Sequence, residues 1–185
     1  PQTAKGLARL IALNLEEVYN TLPDFRINLE RACFNVENLE FFLEKAVADN
    51  HSEIYIVKDY SRIVGCFNLS LVKEYEDNLL TGEIEALYIL SPFYGLRYGG
   101  ECLDFIEHRF KKLKYDKIYI WLLRFNKPAI HFFVKHGYLF DGKTRPLPQN
   151  DFLPEQRLSK KIGVRSITRY YTPSERYLPH ENEII

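Results

Sequence analysis

The stretch from Ser91 to Cys102 (SPFYGLRYGGEC) brings together residue types that can hold an anion. Pro92 stops an apolar run, Gly95, Gly99 and Gly100 follow, and an amphipathic segment begins. The backbone N–H groups at the start of a helix attract negative charge, and glycines let a phosphate approach the backbone closely. Arg97 adds a fixed positive charge and Tyr98 an aromatic face. From these residues alone the chemistry is binding of a phosphorylated ligand. A bare strand-to-helix turn that needs glycine only for its geometry is the competing reading.

Other reactive residue types lead to plainer readings. Cys33, Cys66 and Cys102 are far apart and form no CxxC pair, so neither a disulfide framework nor a zinc site is indicated, and a reducing cytoplasm is the plain location. His131 and His136 are five apart on one predicted helix and do not share a face, so no metal is expected. His108 lies in the charged run EHRFKK and reads as a surface residue. Cys102 and Trp121 fall on apolar stripes and read as core. Lys plus Arg and Asp plus Glu are each 25, and this zero net charge leaves no basic footprint for nucleic acid. No apolar run approaches a membrane span, and the first residues, PQTAKGLARL, lack a secretion-signal core.

The elements that must position these residues follow from periodicity. A strand is predicted at 7–12, and helices at 15–22 and from Asn35 or Asn38 to Ala46. The period then changes to two. Ile54–Lys58 and Arg62–Leu71 form a hairpin about Asp59-Tyr60-Ser61, Lys73–Asn78 reads as a polar loop, and Ile84–Leu90 as a third strand. A helix after Gly100 buries Cys102, Leu103, Ile106, Phe110 and Leu113. Lys117–Leu123 (KIYIWLL) is a strand buried on both faces. Asn126-Lys127-Pro128 opens another helix, with Asn as cap, and Gly137 ends it. Tyr138–Phe140 is a short strand, 142–156 with its prolines a loop, and Arg157–Ile162 a last strand. This order describes an α/β protein with one mixed sheet and helices on both faces. Residues 1–162 form the domain and 163–185 an extension.

Taken together, RIVG at 62–65, IEALYIL-S-P at 84–92, the glycine loop and N-K-P-A-I-H-F-F-V-K-H-G-Y at 126–138 resemble the GNAT superfamily of N-acetyltransferases. The similarity runs in order from about residue 52 to 141, and more weakly over 1–162. The resemblance implies a GNAT-like sheet in which the strands at 84–90 and 117–123 splay apart to hold acetyl-CoA as cosubstrate, with no metal. It assigns the cofactor arm to the backbone of Tyr88, Ile89 and Leu90 and to Asn126. It assigns the pyrophosphate to the loop of Gly95, Leu96, Arg97, Tyr98, Gly99 and Gly100. Tyr94 stands where the family has Gln or Arg, and Arg97 where it has a central Gly. The resemblance places Phe133 beside the cofactor sulfur, where many members carry a Tyr as general acid. The segment from Pro92 to Gly95 is one residue shorter than the family's. A methionine between Tyr94 and Gly95 would restore the spacing and account for the absence of Met from the chain.

The implied reaction is transfer of an acetyl group to an amine by direct attack in a ternary complex, with the thioester polarised by backbone N–H groups of the splayed strand. Baring a lysine-type amine at neutral pH costs about 4.6 kcal/mol, so a base matters. Glu85, on the cofactor-side strand, is the candidate, and Glu83 faces the same side at period two. The acceptor is an amine of a small molecule or a protein. Glu16, Glu17, Asp24, Glu30, Glu37, Glu40 and Glu44, with Glu74, Glu76 and Asp77, would give its site an acidic rim suited to a cation. The 142–156 loop and the extension could cover that site or mediate a homodimer. The rival from another class is a GNAT-fold module that holds CoA, or nothing, without catalysis. A dinucleotide-binding βαβ unit is more distant, because here the glycine loop follows a hairpin meander.

Overall fold

The computed structural model describes residues 51–147 and 150–163. The strand and helices expected before residue 50, and the extension beyond Gly163, lie outside the described residues. Within them, six strands form one sheet in the order β1-β2-β3-β4-β6-β5. The strands are β1 Ser52–Asp59, β2 Arg62–Glu76, β3 Leu79–Ile89, β4 Lys117–Leu123, β5 Leu139–Leu147 and β6 Asn150–Lys161. Helix α1 spans Tyr98–Lys112 and α2 spans Lys127–Lys135. All neighbours are antiparallel except β3 and β4, which are parallel and joined through α1.

Two hairpins are longer than their sequences suggest. Lys73–Glu76, expected as loop, continues β2, and β3 begins at Leu79 rather than Ile84. Asp77 and Asn78 make the turn with φ of 52° and 62°. Paired left-handed residues are the type I′ solution that matches strand twist, and Asp and Asn tolerate it. The segment 142–156, also expected as loop, is mostly strand: β5 runs on to Leu147 and β6 starts at Asn150. Pro146 is accommodated because it lies on the edge strand β5, and it faces Pro154, which lies beyond the last β4–β6 pair at Leu123–Glu155.

The core forms where α1 lies on the sheet. Cys102, Leu103, Ile106 and Phe110 come from the helix, and Leu69, Ile84, Ile118 and Ile120 from the strands. Leu113, the last residue of the expected stripe, is partly buried against them. Gly82 on β3 is required for this packing, since any Cβ there would overlap the Phe110 ring. Asp116 ties three elements at one end of the sheet. Its carboxylate accepts from Leu80 N–H at 3.0 Å, and its carbonyl accepts from Ile162 at 2.8 Å and Gly163 at 3.0 Å.

Helix α2 has the ends its sequence predicts. Asn126 Oδ1 accepts from Ala129 N–H at 3.2 Å, which satisfies a first-turn donor. Gly137, at φ +86°, donates to Val134 O at 3.0 Å, and Tyr138 donates to Phe133 O at 3.1 Å, the paired bonds of a Schellman stop.

Candidate functional site

Strands β3 and β4 run side by side for only three residue pairs, Thr81–Lys117, Gly82–Ile118 and Glu83–Tyr119. Beyond Glu83 and Tyr119 they part, although β3 continues to Ile89 and β4 to Leu123. The result is a V-shaped gap with Glu83 and Tyr119 at its apex. A β-bulge accompanies the parting. Asn68 of β2 pairs with Ala86 and Leu69 with Ile84, so Glu85 is the extra residue of β3. Bulges bend a strand and re-aim its side chains.

The backbone lining the gap follows from strand alternation. Leu90 N–H donates to Val64 O on β2 at 2.9 Å, and Tyr88 O lies against Gly65 of β2. Alternate peptides face opposite ways, so those of Leu87 and Ile89 face the gap. Of the expected backbone partners Tyr88, Ile89 and Leu90, the structure therefore turns Ile89 to the gap and the other two to β2.

The loop after β3 turns sharply before α1. A 3₁₀ turn at Ser91–Phe93 is followed by Tyr94 at φ −64°, ψ 143° and Gly95 at φ +76°. Leu96 N–H reaches Phe93 O at 3.4 Å, so Tyr94 and Gly95 are the central pair of a type II turn, which demands φ above zero at its second position. Leu96 and Arg97 are exposed, and Arg97 precedes the first turn of α1 in the left-handed region at φ +72°. A residue with a Cβ is strained there by about 1–2 kcal/mol. Arg97→Gly is therefore expected to raise stability by about 1 kcal/mol in urea unfolding. A loss would mean that the Arg97 side chain makes a contact worth more than the strain.

Tyr98 begins α1 with its ring edge-on to Phe93 at 5.9 Å. Gly99 and Gly100 also serve packing, because a Cβ on Gly99 would come within 3.0 Å of the Phe132 ring, and one on Gly100 within 3.4 Å of His136. Phe133, expected beside the cofactor sulfur, is buried in the core, edge-on to Phe132 at 5.3 Å and to Tyr138 at 5.2 Å.

The two candidate bases separate clearly. Glu85 is exposed and accepts a hydrogen bond from Asn68 Nδ2. Glu83 is half-buried at the apex and accepts from the Tyr119 hydroxyl at 3.0 Å. Burial raises the proton affinity of Glu83, and the charges of Glu85 and Glu74 add to it. The Tyr119 hydrogen bond and the Arg145 charge act the other way, and the balance is a raised pKa.

Period two in KIYIWLL puts Tyr119 and Trp121 on one face, the signal that could have marked them as more than core. Trp121 is half-buried under the Arg145 guanidinium at 4.3 Å, rather than enclosed. Arg157 stacks over Tyr119 at 4.6 Å. It pairs with both carboxylate oxygens of Glu76, at 2.6 and 2.7 Å, and with Asp141 at 2.7 Å. Lys143 at 2.7 Å and Lys117 at 3.2 Å complete the shell around Glu76. Glu76, expected on an acidic rim, is thus neutralised by three cations. Among the described residues no group of three or more His, Cys, Asp or Glu is placed to hold a metal, and no helix is long and apolar enough to cross a membrane.

The sequence profile described as the acetyltransferase (GNAT) family matches residues 14–138. No curated protein matches the chain in sequence. Among solved structures, the PaiA N-acetyltransferase of Thermoplasma acidophilum in complex with coenzyme A is similar at 15% identity and TM-score 0.65, over 86% of this chain and 93% of that one. An aminoglycoside 6'-N-acetyltransferase complexed with coenzyme A is similar at 16% identity and TM-score 0.63, over 88% and 92%. The ribosomal-protein-alanine N-acetyltransferase of Brucella melitensis is similar at 17% identity and TM-score 0.59, over 85% and 95%. These likenesses show a shared fold.

Proposed function

The chain belongs to the GNAT family of acetyltransferases, and from that premise we propose that it moves an acetyl group from acetyl-CoA to an amine by direct attack in a ternary complex. The observation that carries this reading is the parting of β3 from β4 after Glu83–Tyr119. It opens backbone donors and acceptors of one strand to an extended ligand. Coenzyme A in two of the similar structures supports the identity of that ligand. Bound there, acetyl-CoA supplies the thioester acyl group.

The residues of this chain do the rest. Leu87 and Ile89 offer backbone groups to the cofactor arm and to the thioester carbonyl. The type II turn at Tyr94-Gly95 delivers the chain to the N-terminus of α1, whose free N–H groups meet the pyrophosphate, with the exposed Arg97 beside it. Asn126 spends its oxygen on the α2 cap, which leaves its amide donors as the group suited to the cofactor arm. Glu83 takes the amine proton. A carboxylate whose proton affinity is raised by burial is a better base near neutral pH than an exposed one. Phe133 has no proton to give, so the leaving thiolate takes its proton from solvent or from the protonated Glu83. Residues 1–162 would form this domain, and the buried free thiols of Cys66 and Cys102 suit a reducing compartment such as the cytoplasm.

Acetyl-CoA is expected to raise the unfolding temperature, since a ligand bound only to the folded state shifts the equilibrium. With a panel of primary amines it should release free thiol. No binding at millimolar acetyl-CoA in calorimetry would end the reading. Binding without thiol release for any amine would favour the second reading, a CoA-holding module without catalysis, to which the buried Phe133 already points.

A further inference from the structure

Tyr119 occupies the apex of the gap opposite Glu83, and each of its two ends has a partner. Its hydroxyl donates to Glu83 at 3.0 Å. Its ring lies under the Arg157 guanidinium at 4.6 Å, and Arg157 is itself fixed by Glu76 and Asp141. A guanidinium held on two carboxylates cannot follow the ring, so the ring is held to it. We propose that Tyr119 is a positioning residue for the base: anchored by Arg157, its hydroxyl holds the Glu83 carboxylate at the apex of the gap in its ionised form. This rests on the acyl-transfer reading above, in which Glu83 accepts the amine proton.

The surroundings of Glu83 show why one neutral hydroxyl matters. Among the described residues, the charged and titratable groups acting on it are Tyr119 from β4, Arg145 from β5, Glu85 from β3 and Glu74 from β2. Arg157 of β6 acts through Tyr119. Burial, Glu85 and Glu74 all favour the protonated acid, and Tyr119, ahead of Arg145, opposes them. Arg145 is shared with Glu155 at 2.7 Å and with the Trp121 face. Tyr119 is therefore the direct hydrogen-bond donor that keeps Glu83 able to accept a proton. The cation over its ring draws electron density from the phenol and strengthens that donor.

The test compares the full chain with Tyr119→Phe, which keeps the ring and removes the hydroxyl. The Glu83 side-chain carboxyl is followed by carbon-13 NMR against pH, assigned by its loss in Glu83→Gln. Turnover with acetyl-CoA and the best amine of the panel is followed over the same range. The expected result is a higher titration midpoint in Tyr119→Phe, and an acidic limb of turnover moved to higher pH. Turnover should be lost mainly at low pH and recovered at high pH, with KM for acetyl-CoA unchanged. In the Glu83→Gln background, Tyr119→Phe should have no further effect on turnover. An unchanged midpoint overturns the proposal, as does an equal loss of turnover in both backgrounds, which would mark a structural role. A moved midpoint in a protein that releases no thiol with any amine overturns the acyl-transfer reading, and with it the role of the contact in transfer.

Discussion

Glu83→Gln is expected to lower turnover at least about 100-fold at neutral pH, the low end of what a positioned general base contributes. Glu83 is the last residue of β3 that pairs with β4, so its side chain stands where the gap begins. Its raised pKa, set chiefly by burial, keeps it a stronger base than a surface carboxylate. Glutamine preserves shape and can still accept from Tyr119, so the fold and the acetyl-CoA affinity should be retained. The signature is therefore a fall in kcat with little change in KM for acetyl-CoA, and a flattened acidic limb. Glu85→Gln is the control, because Glu85 is exposed on the bulge and engaged by Asn68. Full turnover in Glu83→Gln together with a large loss in Glu85→Gln would return the role to Glu85.

The choice between these two carboxylates marks where the sequence stops being informative. Period two puts Glu83 and Glu85 on one side of an ideal strand. The bulge at Glu85 breaks that equivalence, and a bulge depends on pairing with β2, which no local pattern records. Local chemistry was legible where local chemistry decides. Asn126 caps α2 and Gly137 ends it because the chain needs those residue types there. Lys117–Leu123 is a strand as its apolar run predicts. The outer part of the β2–β3 hairpin is not legible because Lys73–Glu76 is polar, yet the Asp77-Asn78 pair carries the turn signal. The β5–β6 hairpin is hidden by prolines, of which the structure places Pro146 on an edge strand and Pro154 beyond the end of β4. The Arg157 network was invisible in principle, since Glu76 and Arg157 are 81 residues apart.

That network carries the largest expected effect on stability. Arg157→Ala should cost about 3 kcal/mol at pH 7, because it removes one side of a buried ion cluster and leaves Glu76 and Asp141 short of a partner. The Arg157 side chain is only 4% exposed, against 20% for Glu76 and 15% for Asp141. Lys117 lies 3.2 Å from Glu76 and 3.5 Å from Asp141 and stays in place, which keeps the cost near the low end for a broken buried pair. For a chain of this size the loss corresponds to a fall in unfolding temperature of roughly 6–12 °C. The pH dependence separates charge from packing. Arg157 holds the Glu76 carboxyl well below the usual range, its hydrogen bond outweighing burial, with Lys143 and Lys117 assisting. At Asp141 burial pushes upward, but the Arg157 hydrogen bond, the Lys143 backbone and the nearby cations win, and the pKa is lowered. A depressed carboxylate pKa stabilises the fold fully above the unfolded value of about 4, and that contribution is lost as pH falls through the folded value. The gap in urea midpoint between the natural chain and Arg157→Ala should therefore be wide at pH 7 and narrow as both carboxylates take up protons in acid. A gap of the same width at pH 7 and in strong acid would assign the cost to the guanidinium's packing over Tyr119 and Trp121, because that contact keeps its charge at every pH in the range.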